Sequence, residues 1–190
     1  MQGPQAALLD SGDRLHLQHG PIDLIIGADT DIPGERQRAF QAAHARFQTL
    51  LDDLVQDLPR HRSQLHAHTA APSDPVAQRM YRAARPFCSH TFLTPMIAVA
   101  GSVADEILTA ICTAAQLRRA FVNNGGDIAV HLPDTATHTV AMAHPDGRPF
   151  GHIQLSAQDP MRGIATSGTQ GRSHSFGIAD SVTVLAPNAA

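Results

Sequence analysis

The hydrophobic pattern of this chain changes partway along, and that change restricts the fold more than any other feature. Between residues 35 and 117 the apolar side chains recur every three or four residues, which is the spacing of helices buried on one side. From residue 120 onward they form short runs separated by Gly, Pro, Asn and Asp, which is typical of strands joined by turns. The pattern predicts an α+β fold with a mostly antiparallel sheet packed against helices.

Three helices are predicted within the helical part. The first spans 35–58 and is expected to be stopped by Pro59, and residues 60–73 are expected to be a loop rich in His and Pro. The second begins at Pro75 after the capping residue Asp74, and the third runs from Pro95, after the candidate cap Thr94, to about Leu117. A hairpin is expected before them, over 13–28. The later strands are predicted at 120–123, 128–132, 137–143, 151–155, 163–166 and 181–185.

Length and charge exclude several classes of protein. A chain of 190 residues has the length of a single domain and buries enough surface to fold without disulfides or a structural metal. The formal net charge of −3 argues against nucleic acid or an anionic membrane as the main partner. All 14 basic side chains are arginine, so a Schiff-base lysine and a P-loop lysine are excluded.

The termini and cysteines favour a cytoplasmic protein. Residues 1–10 have neither the basic region nor the apolar core of a signal peptide, and the uncharged stretch 86–104 is too broken by proline to span a bilayer. Cys88 and Cys112 are too few for a disulfide scaffold or a thiolate zinc site. The 12 histidines show no convincing metal-ligand spacing, so no metal site is predicted from the residues alone.

The first candidate binding motif is Asn123-Asn124-Gly125-Gly126-Asp127. The two glycines allow positive φ angles and let a ligand approach the backbone, and Asp127 offers a carboxylate to a metal or a ligand hydroxyl. A plain hairpin turn is the alternative, because Asn-Gly is a common hairpin signal.

The second candidate motif combines Ala165-Thr166-Ser167-Gly168 with the nearby Arg172. Hydroxyls, backbone N–H groups and a guanidinium together are suited to binding phosphate. The order of residues is neither a Walker loop nor a Rossmann fingerprint. A polar connection between strands is the alternative interpretation. A catalytic triad of Ser173, His174 and Asp180 is conceivable on paper, but no nucleophile elbow supports it.

The third candidate is the helix that follows Thr94-Pro95-Met96 and bears Gly101, Ser102 and Asp105. Glycine within a helix costs about 1 kcal/mol relative to alanine, so something should approach the backbone closely at Gly101. Close packing in the core and a bound ligand are the two explanations.

Taken together, these motifs resemble the ApbE family, best known as FAD:protein FMN transferases, and particularly its uncharacterised branch. The resemblance rests on residues 94–96 with 99–105, on 122–129, and on 163–168 with 171–173 and 177–186. It runs from about Asp74 to the last residue, with weaker support from the earlier hairpin and helix.

The resemblance implies a T-fold-like antiparallel sheet packed against helices, and a flavin nucleotide, FAD, as the cofactor. Characterised members transfer FMN with Mg²⁺ to a threonine or serine of a target protein. The Asn-Asn-Gly-Gly-Asp and Ala-Thr-Ser-Gly segments would then line the flavin pocket, and Asp105 matches the aspartate of the family's glycine-bearing helix. A target protein and a homo-oligomer are the further expected partners.

The chain also departs from the transferase pattern. Ala100 stands where transferases usually carry a lysine, and the twelve residues between Gly168 and Ser181 lack the His–Asp-Pro–Thr-Gly stretch. The family continues into a helix with metal-ligating residues, so residues 1–190 are expected to be one ApbE-like domain without its C-terminal portion. Mg²⁺ binding is expected only where that motif is present.

Three hypotheses follow. The chain is an FAD-binding, FMN-transferase-like enzyme, an ApbE-like protein with another function (sulfur assimilation toward homocysteine is one candidate), or a non-catalytic binding module. The first predicts FAD binding, the second predicts no FMN-labelled target, and the third predicts no turnover.

Overall fold

The computed structural model describes residues 3–9, 12–89, 91–144, 146–169 and 177–190. Its framework is a seven-stranded antiparallel sheet in the order β1-β2-β3-β4-β5-β8-β9. A separate two-stranded sheet, β6-β7, is inserted between β5 and β8. The predicted α+β class, with an antiparallel sheet packed against helices, is confirmed. The strands are β1 Gln5–Leu8, β2 Arg14–His19, β3 Ile22–Asp29, β4 Arg119–Asn124, β5 Asp127–His131, β6 Thr137–Ala143, β7 Pro149–Ser156, β8 Gly163–Ser167 and β9 Val182–Ala186.

Four α-helices cover one side of the sheet, and 3₁₀ turns extend two of them. The longest, α1, packs against α4 and on β2 and β3, while α4 packs on β4 and β5 and α3 packs on α4. The helices are α1 Glu35–Gln56, α2 Leu58–His61, α3 Pro75–Ala84 and α4 Val99–Ala114, and the 3₁₀ turns are Arg85–Phe87 and Pro95–Ala98.

Alternating side chains on the central strands form the main core. Leu17 faces Leu24 across β2 and β3, and Ile26 faces Val122 across β3 and β4, all fully buried. The apolar stripe of α1 packs onto this surface, and burial of each large side chain contributes about 1.5–3 kcal/mol. The buried residues of that stripe are Ala39, Phe40, Ala43, Phe47, Leu50, Leu51 and Leu54.

A smaller core lies on the opposite face of the sheet, beneath the β6-β7 hairpin. Ile128 and Val130 of β5 and Ile164 of β8 pack there against Leu155 of β7. Ala129, between the two β5 residues, belongs to the main core instead. Strand β5 is therefore buried on both faces, which holds the turn before it in a fixed position.

Several predicted boundaries need correction. The first helix ends at Gln56, and Pro59 does not stop it but lies in the first turn of the new helix α2, where proline is tolerated. The third helix begins with a 3₁₀ turn at Pro95 that Thr94 precedes without a side-chain cap bond, and it ends at Ala114 rather than Leu117. Strand β1 was not predicted, because its four exposed residues show no alternation.

The segment Pro95–Ala114 is long and apolar enough to cross a membrane by length and composition alone. In the fold, Val103, Ala104, Ile107 and Ile111 of this segment are buried in the main core. Core packing therefore accounts for its apolar character.

Candidate functional site

Some residues of each of the three motifs line one cavity of about 570 Å³, here called the main cavity. Its polar wall contains Asn124, Gly125 and Asp127 from the β4-β5 turn, and Thr166 and Ser167 from the end of β8. Its apolar wall comes from the β2-β3 hairpin, the four α-helices and the 3₁₀ turn before α4, and it includes Ile22, Leu51, Leu54, Leu58, Met80, Met96 and Val103. An apolar cavity with a few convergent polar groups, and of this size, is typical of a small-molecule site.

Two other concavities help to define the site. A groove of about 620 Å³ lies between β1 and α1, lined by residues such as Leu8 and His44, and contains none of the motif residues. A hollow of about 180 Å³, here called the rear hollow, adjoins the main cavity at Asp127 and is lined by Ala165, Ala189 and Ala190. The main cavity is therefore the one to which the motifs point.

The β4-β5 turn has the backbone of a tight hairpin. Gly125 and Gly126 have φ angles of 62° and 111°, in the region that favours glycine. The Asn123 side-chain Oδ1 accepts a hydrogen bond of 2.9 Å from the Gly126 backbone N–H. The hairpin interpretation is therefore correct for the backbone, and the same turn presents Asn124, Gly125 and Asp127 to the main cavity.

The turn is tied to the start of α4. The Asn124 side-chain Nδ2 donates a hydrogen bond of 3.0 Å to the Ala100 carbonyl oxygen. The Asp127 carboxylate accepts from the backbone N–H groups of Gly101 and Thr166. Because Gly101 lies in the first turn of α4, Asp127 satisfies one of the N–H groups that a helix leaves without a partner.

Burial raises the pKa of Asp127 to about 6, against the opposing effect of its two backbone N–H donors. The folded state therefore binds a proton more tightly than the unfolded chain between about pH 4 and pH 6. Stability falls as the pH rises through that window, and the penalty is complete above it. A carboxyl with such a pKa in a cavity is a mark of functional sites.

We expect Asp127→Asn to stabilise the fold by about 1–2 kcal/mol at pH 7.5, because the amide removes a partly buried charge and keeps an acceptor. The gain should vanish below about pH 4, where Asp127 is protonated in both states. Urea unfolding at both pH values measures it. The exposed Asp52→Asn on α1 is the control and should change stability by less than about 0.5 kcal/mol. A gain that is equal at both pH values would refute the assigned pKa.

The second motif is only partly at the main cavity. The Thr166 hydroxyl hydrogen-bonds the Thr183 hydroxyl at 3.0 Å, whereas the Ser167 hydroxyl has no partner among the described residues and lines the cavity. Gly168 packs against the backbone of the residues just before β9. A Cβ added at Gly168 would lie 2.1 Å from the Asp180 carbonyl oxygen. Arg172 lies outside the described residues, as do Ser173 and His174 of the possible catalytic triad.

The third motif packs against the last residues of the chain. Gly101 contacts the Ala189 backbone so closely that an added Cβ would lie 1.8 Å from its carbonyl oxygen. The Asp105 carboxylate accepts hydrogen bonds from the backbone N–H groups of Ala189 and Ala190, at 3.0–3.2 Å. Close packing thus explains the helix glycine. Asp105 is not among the residues that line the main cavity, and its part in cofactor binding stays a prediction.

Two polar residues of the main cavity, His61 and Arg62, were not predicted from the sequence. His61 ends α2 and Arg62 follows it, in a segment that was interpreted as a loop. Their only signal was a pair of polar side chains directly after an apolar helix.

Within the described part of the chain, no group of three or more His, Cys, Asp or Glu side chains is placed to hold a metal ion. Asp127 is the single carboxylate on the main cavity. The described residues of the main cavity therefore offer a metal ion one carboxylate, that of Asp127.

The fold and the cavity define an α+β domain with its predicted motif residues gathered at one concave surface. The family model described as "AbpE bacteria" matches residues 6–190, and the chain belongs to this ApbE-related family. A UPF0280 protein of Methanobrevibacter smithii is 35% identical over 116 residues, which are 60% of this chain and 46% of that relative. A UPF0280 protein of Methanopyrus kandleri is 35% identical over 115 residues, 60% of this chain and 43% of the relative. The matched segment thus spans less than half the length of each relative.

Proposed function

We propose that this chain binds a flavin nucleotide in the main cavity, as an ApbE-related protein of the FMN-transferase type. The observation that carries the proposal is the meeting of the two polar motifs, separated by about 40 residues of sequence, at one wall of a cavity whose other wall is apolar. Family membership supports it, since ApbE-related proteins are the group that the sequence resembles.

The chemistry of the walls fits a flavin. The isoalloxazine ring is flat and largely apolar, and the side chains of α1 and α4, such as Leu54 and Val103, offer a surface of that kind. Its polar edge and its ribityl chain need hydrogen-bond donors and acceptors. The Ser167 hydroxyl and the Asp127 carboxylate supply these on the opposite wall.

Transfer of FMN to a threonine or serine is the finer part of the proposal. In phosphoryl transfer a metal stabilises charge on the phosphates. The described residues form no cluster of three His, Cys, Asp or Glu side chains that could hold a metal ion, and no catalytic step is assigned to them. A cytoplasmic location, a target protein and self-association likewise remain proposals.

A specific observation favours a second candidate, flavin binding without transfer. Ala100 lines the main cavity at the position where the transferases carry a lysine, so an uncharged side chain stands there. Sulfur chemistry on the chain's own thiols gains no such support. Burial raises the pKa of Cys112 to about 11, which keeps it a thiol at neutral pH, and neither Cys88 nor Cys112 lines the cavity.

The experiment is a titration of FAD into the purified chain with and without Mg²⁺, followed by flavin fluorescence. The chain has no tryptophan, so the protein background is low. We expect saturable binding. Ser167 is exposed on the cavity wall, and the indole ring in Ser167→Trp should fill the site and reduce the affinity for FAD at least tenfold. Thr139→Trp on β6 is exposed and outside the cavity, and should leave the affinity unchanged.

Absence of FAD binding by the folded wild-type chain would overturn the proposal. Binding that Ser167→Trp does not weaken would place the flavin elsewhere. If FAD binds, incubation of the chain with a threonine-containing candidate target and Mg²⁺ separates the two candidates, since only transfer leaves a covalent flavin after denaturation.

A further inference from the structure

His61 is a buried side chain with a polar atom that has no partner. Its side chain is only 1% exposed, and among the described residues its Nδ1 atom has no hydrogen-bond partner. The ring packs edge-on against the Tyr81 ring, with 5.9 Å between the centroids. Leaving such an atom without a partner is unfavourable, and a bound water, ion or ligand is a common partner of such groups in native structures. Of the three side chains in this condition, His61 is the one that lines the main cavity.

The protonation state of His61 allows it to donate or accept one hydrogen bond. Burial lowers its pKa, outweighing Asp57 and Asp74, which act in the opposite direction. The imidazole is therefore neutral at neutral pH, with one nitrogen as donor and the other as acceptor.

Arg62 is the single cationic side chain among the residues that line the main cavity. Its guanidinium is exposed, and the described residues offer it no hydrogen bond or ion pair. The Asp127 carboxylate also lines the main cavity, and it repels a second negative charge. The chain contains no lysine, so Arg62 is the cation with which an anionic group can pair among the described residues that line this cavity. The Asp57 and Asp74 carboxylates act on the neighbouring His61 in the opposite sense.

We propose that His61 and Arg62 bind the phosphate of the nucleotide, Arg62 by its guanidinium fork and His61 by its ring N–H. This inference rests on the proposed function. The phosphate end of the ligand would then lie beside the C-terminal end of α2, and the flavin ring would lie on the apolar wall. Arg62 is then a specificity-determining residue that distinguishes a flavin nucleotide from riboflavin.

The test compares the affinities of FMN and riboflavin, which differ by one phosphate, in the wild-type chain and in Arg62→Gln. We expect the wild type to bind FMN more tightly than riboflavin. Arg62→Gln should weaken FMN roughly tenfold or more and change riboflavin by less than about twofold. Arg82→Gln, an exposed arginine on α3 that does not line the cavity, is the matched control and should change neither affinity.

His61 is tested by His61→Phe, which keeps an aromatic ring against Tyr81 and removes both nitrogens. Thermal unfolding verifies that this variant folds. We expect FMN to weaken roughly fivefold and riboflavin to be unchanged. Should His61→Phe fail to fold, the Nδ1 resonance of wild-type His61 should shift with FMN and not with riboflavin.

The outcomes separate the two claims. Failure of the wild type to bind either flavin overturns the proposed function and this inference with it. Binding of both flavins with an FMN preference that Arg62→Gln leaves intact overturns the inference alone. Equal weakening of both ligands in Arg62→Gln also overturns it, because a contact to phosphate alters only FMN.

Discussion

Gly101→Ala is expected to destabilise the fold by about 3 kcal/mol, because the new methyl group would occupy the place of the Ala189 carbonyl oxygen. The distance from an ideal Cβ at Gly101 to that oxygen is 1.8 Å, and the obstacle is backbone rather than a movable side chain. Either α4 or the segment 188–190 must shift. Overpacking of this kind costs about 1–3 kcal/mol, and loss of the hydrogen bonds to Asp105 adds to it.

A second variant isolates the cause. In a chain that stops at Pro187, the contact partner of Gly101 is absent. There Gly101→Ala should become favourable by up to about 1 kcal/mol, since alanine is the better helix former. Urea unfolding of the wild type, Gly101→Ala, the chain that stops at Pro187 and that shortened chain with Gly101→Ala completes a double-mutant cycle. An equal cost of Gly101→Ala in both backgrounds would show that the contact with Ala189 is not the reason for glycine at this position.

Glu106→Ala is expected to destabilise the fold by about 2–3 kcal/mol, because this carboxylate joins three helices. Its Oε1 accepts a hydrogen bond of 2.7 Å from Arg46 Nε of α1, and its other oxygen pairs with Arg79 of α3. The Glu106 side chain is only 12% exposed. Removal of this carboxylate leaves the partly buried guanidinium groups of Arg46 and Arg79 short of an acceptor. Arg46 keeps two more distant carboxylates, those of Asp53 on α1 and of Asp74, the N-cap of α3.

The matched control is a pair at the surface. Asp146 and Arg148 form an ion pair of 2.7 Å in the turn of the β6-β7 hairpin, with both side chains at least half exposed. Asp146→Ala should therefore change the free energy of unfolding much less than Glu106→Ala does. Chemical denaturation of both variants provides the comparison. A loss at Glu106 no larger than the loss at Asp146 would mean that the helix layer is not held by this network.

The regular elements could be predicted because their signals are local. The stripe of α1 follows from the spacing of Phe40, Phe47 and Leu54, and the cap at Asp74 is confirmed by a hydrogen bond of 2.8 Å from Ala77 N–H. Strand β1 could not be predicted in this way. Its residues are exposed on both faces, so its position depends on pairing with β2 rather than on burial.

The site depended on information that is not local. Asn124 and Ser167 lie far apart in the sequence, and only the strand order β4-β5-β8 brings their ends together. Their association was expected from the family resemblance and not from spacing. Gly101 is the exception, because a glycine inside a helix predicts a close approach by itself, and the structure identifies the Ala189 backbone as the neighbour. The sequence around His61 and Arg62 matches no motif. Their place at the site depends on residues distant in the sequence that line the same cavity.

The most direct test of the central claim is a crystal structure of the chain grown with FAD and Mg²⁺. The account predicts electron density for the flavin in the main cavity, with its ring on the apolar wall that includes Leu54 and Val103 and with Ser167 in contact. Flavin density elsewhere on the molecule, with the main cavity empty in crystals of a chain that binds FAD in solution, would contradict it.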